Sequence, residues 1–389
     1  MAEIDGFVAA GFERVRDVFA ANFEHNGEVG AGVCAYLDGR PVVDLWGGVA
    51  DQESGRAWTG DTLQLVYSVT KAMASTCAHL LAERGELDLD APVRRYWPEF
   101  AAAGKERVPV RMLLSHRVGL PALDQPVSVA DLLAWDPVVA ALARQRPFWE
   151  PGTRHGYHAE TFGFLVGEVV RRVSGRSIGR FFAEEIAEPN GIEFWIGLPP
   201  ELEAKVSTLT EAPIPEVDLS TLPPRAREAV AAFTDPNSLT MRAFGVSKPG
   251  YDTNAPEVHA AELPASNGIG TARGIARFYA GLIGEVDGKR ILSEDTVRGA
   301  LVEQASGMDE ILKRPSRFGT GFMMSIDGGF ALGGPSSFGH PGKGGALGFA
   351  DPERGLAFGY APNCMLVGVG GDARSADLLD AVHAALPRR

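Results

Sequence analysis

Apolar side chains recur at Ile4, Phe7, Val8, Phe12, Val15, Val18, Phe19 and Phe23. That spacing predicts an amphipathic helix over 4–23. The period then shortens. VGAGVCAYLDGRPVVDLWGGVAD holds two β-rich runs joined at Asp38-Gly39, a pair that suits a two-residue hairpin turn. LVYSVTKAMASTCAHLLAERG, residues 65–85, returns to a helical pattern and stops at Gly85, a good residue just past a helix end. From about 91 to 244 the signals are mainly helical, in VRMLLSH, VADLLAW, FGFLVGEVVRRVSG and IGRFFAEEIAEP. Between about 208 and 265 Pro, Asp and Glu accumulate around one short helical stretch, PRAREAVAAF. A lid and a long surface connection both fit that composition.

Helices follow near Thr271 (TARGIARFYAGLI) and Ser293 (SEDTVRGALVE). Three β-like runs come next, TGFMMSI, GGALGFAD and GLAFGYAPN, and ARSADLLDAVHAAL closes the chain as a helix. No internal repeat or low-complexity segment interrupts this order. Helices and strands at both ends, with a helical block between, predict an α+β fold: an antiparallel sheet flanked by N- and C-terminal helices, plus an inserted, mainly α-helical domain. The expected division is a discontinuous sheet domain, 1–90 and 245–389, and a helical domain, 91–244, with an active site in the seam.

The length, 389 residues, exceeds what one simple core usually covers. Apolar residues make up 45% and charged residues 22%, ordinary globular values. The net charge of −13 argues against nucleic acid or an anionic membrane as partner, since both call for a basic face. The opening MAEIDGFVAAGFERVRDVF lacks the marks of a secretory signal, and no apolar run approaches a membrane span. Cys34, Cys77 and Cys364 sit singly in apolar contexts, as buried thiols do. A cytoplasmic protein is expected; the oligomeric state is left open.

Within residues 65–85, Lys71 follows Ser68 by three positions in a run of small apolar residues. On a helix that spacing puts both side chains on one face. Burial and the positive helix start both disfavour an ammonium, and full burial lowers a lysine pKa by up to about 3–5 units. A neutral amine beside a serine hydroxyl is a general base for a nucleophile. The Ser68 N–H then points at any oxyanion formed there. The plain alternative is a serine cap and a solvated lysine, and S-x-x-K is a short pattern.

Two further stretches bear on the choice. In FWEPGTRHGYHAETFGFLVGEVV, Tyr157 precedes an apolar helix. It could relay a proton, as phenol or as a phenolate if a nearby lysine lowers its pKa, or it could be a rim aromatic. In SFGHPGKGGALGFAD a His-Pro-Gly run and two glycines lead into a strand. Glycines there admit a ligand close to the backbone, or simply make a turn.

Ser-x-x-Lys, a tyrosine about ninety residues on, and a Lys/His-x-Gly run before a late strand together resemble the serine β-lactamase and penicillin-binding-protein superfamily. Within it the chain looks most like the class C-type branch that includes the family VIII carboxylesterases. GELDLDAPVRRYWPEF, VPVRMLLSHRVGLP, PGTRHGY and FGHPGKGGALGFADPERGLAFGY carry the likeness along nearly the whole chain. The resemblance implies a β-lactamase-like fold, Ser68 as the acylated nucleophile, Lys71 as its base and Tyr157 as the proton shuttle to the leaving group. It sets His340-Pro341-Gly342 in the place of Lys-Thr-Gly, and pairs the N–H groups of Ser68 and Lys343 as an oxyanion hole.

Two positions depart from the β-lactamase pattern. Ala159 stands where an asparagine is common, and His340 replaces a lysine, so a fixed cation is missing at neutral pH. Both favour short-chain carboxylic esters over β-lactams, with a small-molecule ester as the partner and no cofactor. β-Lactamase, D-amino peptidase or amidase, acyltransferase and a non-catalytic scaffold are the rivals. Other features weigh less. G-x-S-x-G is absent, Ser115-His116 reads as a loop after a helix, and His155 and His158 lack accompanying metal ligands. Gly30 and Gly32 precede a strand, not a helix. Tyr67, Trp149, Phe338 and Leu347 are possible acyl-pocket residues, with core packing the weightier reading for each.

Overall fold

A computed structural model of the chain describes residues 2–213, 221–330, 332–366 and 372–387. Residues 214–220 of the 208–265 connection therefore lie outside the described residues. Strands β1 (Ile4–Val8), β2 (Gly30–Leu37), β3 (Arg40–Asp51), β4 (Ala305–Met308), β5 (Pro315–Phe318), β6 (Met323–Met324), β7 (Phe338–Pro341), β8 (Leu347–Asp351) and β9 (Leu356–Pro362) form one sheet. Its order is β1-β3-β2-β9-β8-β7-β6-β5-β4, antiparallel throughout. β2 and β9 pair from Ala31 with Pro362 to Leu37 with Leu356, so the two ends of the chain share this sheet. The α+β architecture with an antiparallel sheet and terminal helices is as the pattern predicts.

The helices that bear on the site are α1 (Glu13–His25), α2 (Thr70–Glu83), α3 (Val110–Leu114), α4 (Thr161–Ser174), α5 (Pro224–Thr234), α6 (Leu239–Phe244), α7 (Ala272–Ile283) and α8 (Ala373–Ala385). α1 and α8 cover one face of the sheet, where Phe19, Leu378 and Val382 pack with Val33, Phe349 and Phe358. α7 covers the other face. A methyl group at Gly348 would come within 2.6 Å of the Tyr279 ring on α7, so this glycine lets the helix seat closely on β8. Both faces of β2 are buried, which is why it reads as an apolar run without alternation. α2 is buried all round from Thr70 to Leu81 and packs against α4. Among the described residues no helix is long and apolar enough to cross a membrane.

The N-terminus corrects the sequence reading. Residues 4–8 form β1 on the edge of β3, and the helix begins only at Glu13. Ile4 and Val8 are four residues apart, a separation that keeps both on one side of a helix and of a strand. Gly6 decides the matter: it lies at φ +98°, and a methyl there would run into the Asp44 carbonyl of β3. The hairpin turn is as expected, with Asp38 at φ 48° and Gly39 at φ 77°, both left-handed as a type I′ turn requires. β4, β5 and β7 went unpredicted. Each spans four residues and contains Gly or Pro, so their pairing with neighbours, not a local pattern, makes them strands.

Candidate active site

The chain reaches α2 through a strained turn. Tyr67 sits at φ 45°, a backbone that non-glycine residues adopt only when their surroundings enforce it. The N–H groups of Thr70 and Lys71 bond back to the carbonyls of Tyr67 and Ser68, at 3.0 and 3.1 Å. Ser68 thus lies two residues ahead of α2, not inside it. These tight i to i+3 bonds nevertheless keep the three-residue geometry, and Lys71 Nζ lies 3.1 Å from Ser68 Oγ.

Lys71 is 1% exposed, and its Nζ also lies 2.7 Å from the Ala159 carbonyl and 2.8 Å from that of Ala265. Burial holds its pKa well below the usual lysine value, opposed by the negative charge of Glu160. Tyr157, from the loop before α4, donates its O–H to Ser68 Oγ at 2.8 Å and lies 3.3 Å from His340 Nε2. Burial raises the pKa of this phenol. Of the two forms weighed for Tyr157, that rise favours the phenol over the phenolate.

His340 is buried in β7, and its Nδ1 donates to the Pro341 carbonyl at 2.7 Å. Its Nε2 therefore presents a lone pair to Tyr157. Burial, reinforced by Lys71, lowers its pKa to about 3, so the ring is neutral at pH 7. Gly342 follows directly, and a methyl there would run into the Val66 carbonyl. Lys343 places its Nζ 5.6 Å from the centre of the Tyr67 ring. The 342–343 segment thus lies alongside the Ser68 turn. The Ser68 N–H itself donates no hydrogen bond among the described residues. Ser68, Lys71, Tyr157, His340, Gly342 and Lys343 all come together.

Several residues around these six escaped the sequence reading. The Tyr157 N–H donates to Asp309 Oδ1 at 3.0 Å, and the same oxygen accepts the N–H groups of Ile311 and Leu312 at 2.9 Å each. His116 does follow α3 in a loop, but at φ 59° its ring packs 5.0 Å from that of Tyr157. Phe244 of α6 reaches the same ring at 6.1 Å, and Phe233 of α5 packs on Phe244, tilted, at 5.6 Å. The described part of the 208–265 connection therefore borders the site. Glu160, next to Ala159, has its carboxyl 3.4 Å from the Tyr251 hydroxyl and from the Val246 N–H, and burial lifts its pKa to about 7. Phe338 and Leu347 belong to the sheet core. Among the described residues no group of three or more His, Cys, Asp or Glu could hold a metal ion.

Known proteins share this arrangement of sheet and helices. The Beta-lactamase family model matches residues 15–382. The esterase/beta-lactamase LipL of Mycobacterium tuberculosis is 35% identical over 343 residues, covering 86% of this chain and 77% of that protein. The crystal structure of a family VIII carboxylesterase superposes with a TM-score of 0.86 at 39% identity, over 99% of this chain and 100% of the other. A penicillin-binding-protein homologue from Caulobacter crescentus superposes with a TM-score of 0.87 at 35% identity, again over 99% and 100%. Because the family match runs from α1 into α8 and these likenesses span whole chains, the protein belongs to the Beta-lactamase family, with family VIII carboxylesterases among its structural neighbours.

Proposed function

We propose that the protein is a serine hydrolase that cleaves short-chain carboxylic esters through an acyl-enzyme on Ser68. One observation carries the reading, the bonding around Lys71 Nζ. A neutral amine has two hydrogens and one lone pair. The carbonyls of Ala159 and Ala265 only accept, and at 2.7 and 2.8 Å they take both hydrogens. The lone pair is left for the Ser68 hydroxyl at 3.1 Å. The three partners would also match the three hydrogens of an ammonium, so the reading turns on burial, which favours the neutral amine; in that form Lys71 accepts the serine proton, as a general base must.

In this reading Ser68 Oγ attacks the ester carbonyl as its proton passes to Lys71. The N–H groups of Ser68 and Lys343 hold the oxyanion, and loss of one such donor typically costs about 100- to 1000-fold in rate. Tyr157, a protonated phenol against Ser68 Oγ, gives its proton to the departing alkoxide and recovers one from the Lys71 ammonium. Water then enters and attacks the acyl carbonyl as Lys71 takes its proton; the tetrahedral intermediate collapses, Lys71 returns that proton to Ser68 Oγ, and the acid leaves. The sheet block (1–90 and 245–389) and the helical block (91–244) supply the two walls of the site.

Esters are favoured over β-lactams because His340 is neutral at pH 7 and Ala159 brings no side-chain amide. The carboxylesterase among the structural neighbours and the esterase activity in the name of LipL support the same choice. The three cysteines are free and buried, which suits a cytoplasmic setting. The test compares wild type with Ser68→Ala on p-nitrophenyl butyrate, with a chromogenic cephalosporin alongside. Ester turnover should fall at least about 1000-fold in the variant, and the cephalosporin should turn over far more slowly than the ester in wild type. Undiminished ester turnover by Ser68→Ala refutes the mechanism.

A further inference from the structure

The turn that carries Lys343 is closed at its base by one short backbone bond, from the Gly342 N–H to the Ala346 carbonyl at 2.6 Å, and has few other means of fixing itself. Residues 342–345 read Gly-Lys-Gly-Gly, and glycine backbones are the hardest to hold in one conformation. The Gly345 N–H reaches the Gly342 carbonyl only at 3.4 Å. Gly344 has φ +81°, as the third residue of a type II turn requires. Its one long side chain, Lys343, is exposed and among the described residues reaches only the Tyr67 ring with its Nζ.

The tip of the turn is held from behind. Arg374, in the first turn of α8 and 0% exposed, donates from Nη2 to the Gly344 carbonyl at 2.8 Å. The guanidinium is itself fixed: Nη2 lies 2.7 Å from Asp372 Oδ2, and Nη1 lies 2.9 Å from Glu28 Oε1. Glu28 in turn accepts the hydroxyl of Tyr360 from β9. The turn fits closely against this group, since a methyl at Gly345 would come within 2.6 Å of Nη2. A planar fork bonded on two sides transmits that fixity to the third.

We propose that Arg374 is a positioning residue for the oxyanion hole, holding the Gly342–Gly345 turn so that the Lys343 N–H faces the Ser68 turn. The proposal rests on the reading of the Ser68 and Lys343 N–H groups as oxyanion donors. Arg374 makes no contact with Ser68, Lys71 or Tyr157, so it acts through the turn alone. Misplacing a reacting group by about 1 Å from a distance costs on the order of 100-fold in rate. Substrate binding before the tetrahedral state is far less sensitive, because the oxyanion does not yet exist.

The test measures kcat and KM on p-nitrophenyl butyrate, and the affinity of butylboronic acid, whose serine adduct carries a tetrahedral anion. Arg374→Met should lower kcat and boronate affinity together by about 30- to 100-fold while KM moves less than about threefold. Should Arg374→Met fail to fold, Arg374→Lys keeps a positive charge beside Glu28 and Asp372 but loses the planar fork that reaches the Gly344 carbonyl, and should show the same split. Leu378→Ala, in the buried core under α8, serves as the control. It should lower Tm yet leave kcat within about threefold. The proposal is overturned if folded Arg374→Met and Arg374→Lys both keep wild-type kcat, or if Leu378→Ala loses as much. Ser68→Ala measured in parallel separates the two levels: its retained activity sinks the site reading, whereas its loss beside unaffected clamp variants sinks only the role of Arg374.

Discussion

Lys71 and Arg374 are both basic side chains shut away from water, at 1% and 0% exposure, and their surroundings treat the charge in opposite ways. Around Lys71 Nζ stand two carbonyls and a hydroxyl. Around the Arg374 guanidinium stand two carboxylates, from Glu28 and Asp372, and one carbonyl. The first set solvates an amine without neutralising an ammonium, so burial wins and the pKa falls. The second set supplies counter-charge, and the pKa of Arg374 is raised despite burial. Lys105 is a useful third case. It too is buried with carbonyl partners, those of Ala102 and Gln145, and its pKa falls to about 8. A buried amine is therefore not sufficient for chemistry. Lys71 differs because a serine hydroxyl stands at its lone pair.

Exchanging the two treatments is the most severe way to break the comparison. Lys71→Arg puts a group that never loses its proton where a neutral base is required. On p-nitrophenyl butyrate kcat/KM should fall by about 100- to 10,000-fold, the usual worth of a general base. Wild-type kcat/KM should rise with pH through the depressed Lys71 pKa and level off well short of the ordinary lysine range, because only the deprotonated amine accepts the serine proton. Activity of Lys71→Arg within tenfold of wild type would remove Lys71 from the mechanism.

The two regions also differ in how far the sequence reveals them. Ser68 and Lys71 are three residues apart on a buried helical run, and local spacing is what a one-dimensional reading detects. Tyr157 and His340 follow as short motifs. The carbonyls of Ala159 and Ala265, which take both hydrogens of Lys71, are backbone groups and leave no trace in residue identity. Glu28 and Arg374 are 346 positions apart, and no local period links them. Asp309 was invisible for the same reason: its bonds to the backbone of Tyr157, Ile311 and Leu312 arise only once the chain has closed on itself. At the fold level the Asp38-Gly39 hairpin and most of the helices were legible because each has its own punctuation. β1 was not, because its two apolar ends satisfy both periods and its pairing with β3 decided the outcome.

A gentler test acts on the charged region. Burial outweighs the pull of Arg374 and lifts the Glu28 carboxyl to about 7 from 4.5. An acid whose folded pKa is raised binds more protons folded than unfolded, so its share of stability is complete below the unfolded value and is lost as pH rises through the folded one. In wild type that loss falls between about pH 4.5 and 7 and amounts to roughly 3 kcal/mol at most. Glu28→Gln has no such group, so the stability difference between wild type and variant should shift by that amount across this window. Urea unfolding of both at pH 4.5, 6 and 7.5 reads it. Parallel curves, with a constant difference, would mean that Glu28 stays ionised throughout, as a fully compensated partner of Arg374.

The smallest effect probes a carboxylate whose charge acts on Lys71. Glu160 makes no hydrogen bond to the amine, yet its negative charge favours the ammonium. Its own pKa, lifted to about 7 by burial, means that this influence exists only above about pH 7. Glu160→Gln should therefore leave kcat/KM unchanged below pH 7, where the wild-type group is already neutral. Above it the variant should match wild type or exceed it by up to about threefold, because removing the anion shifts Lys71 further toward the free amine. The sign matters more than the size. A loss of tenfold or more would mean that Glu160 handles substrate or a proton directly, and the contrast drawn between a carbonyl-lined lysine and a carboxylate-lined arginine would no longer describe this site.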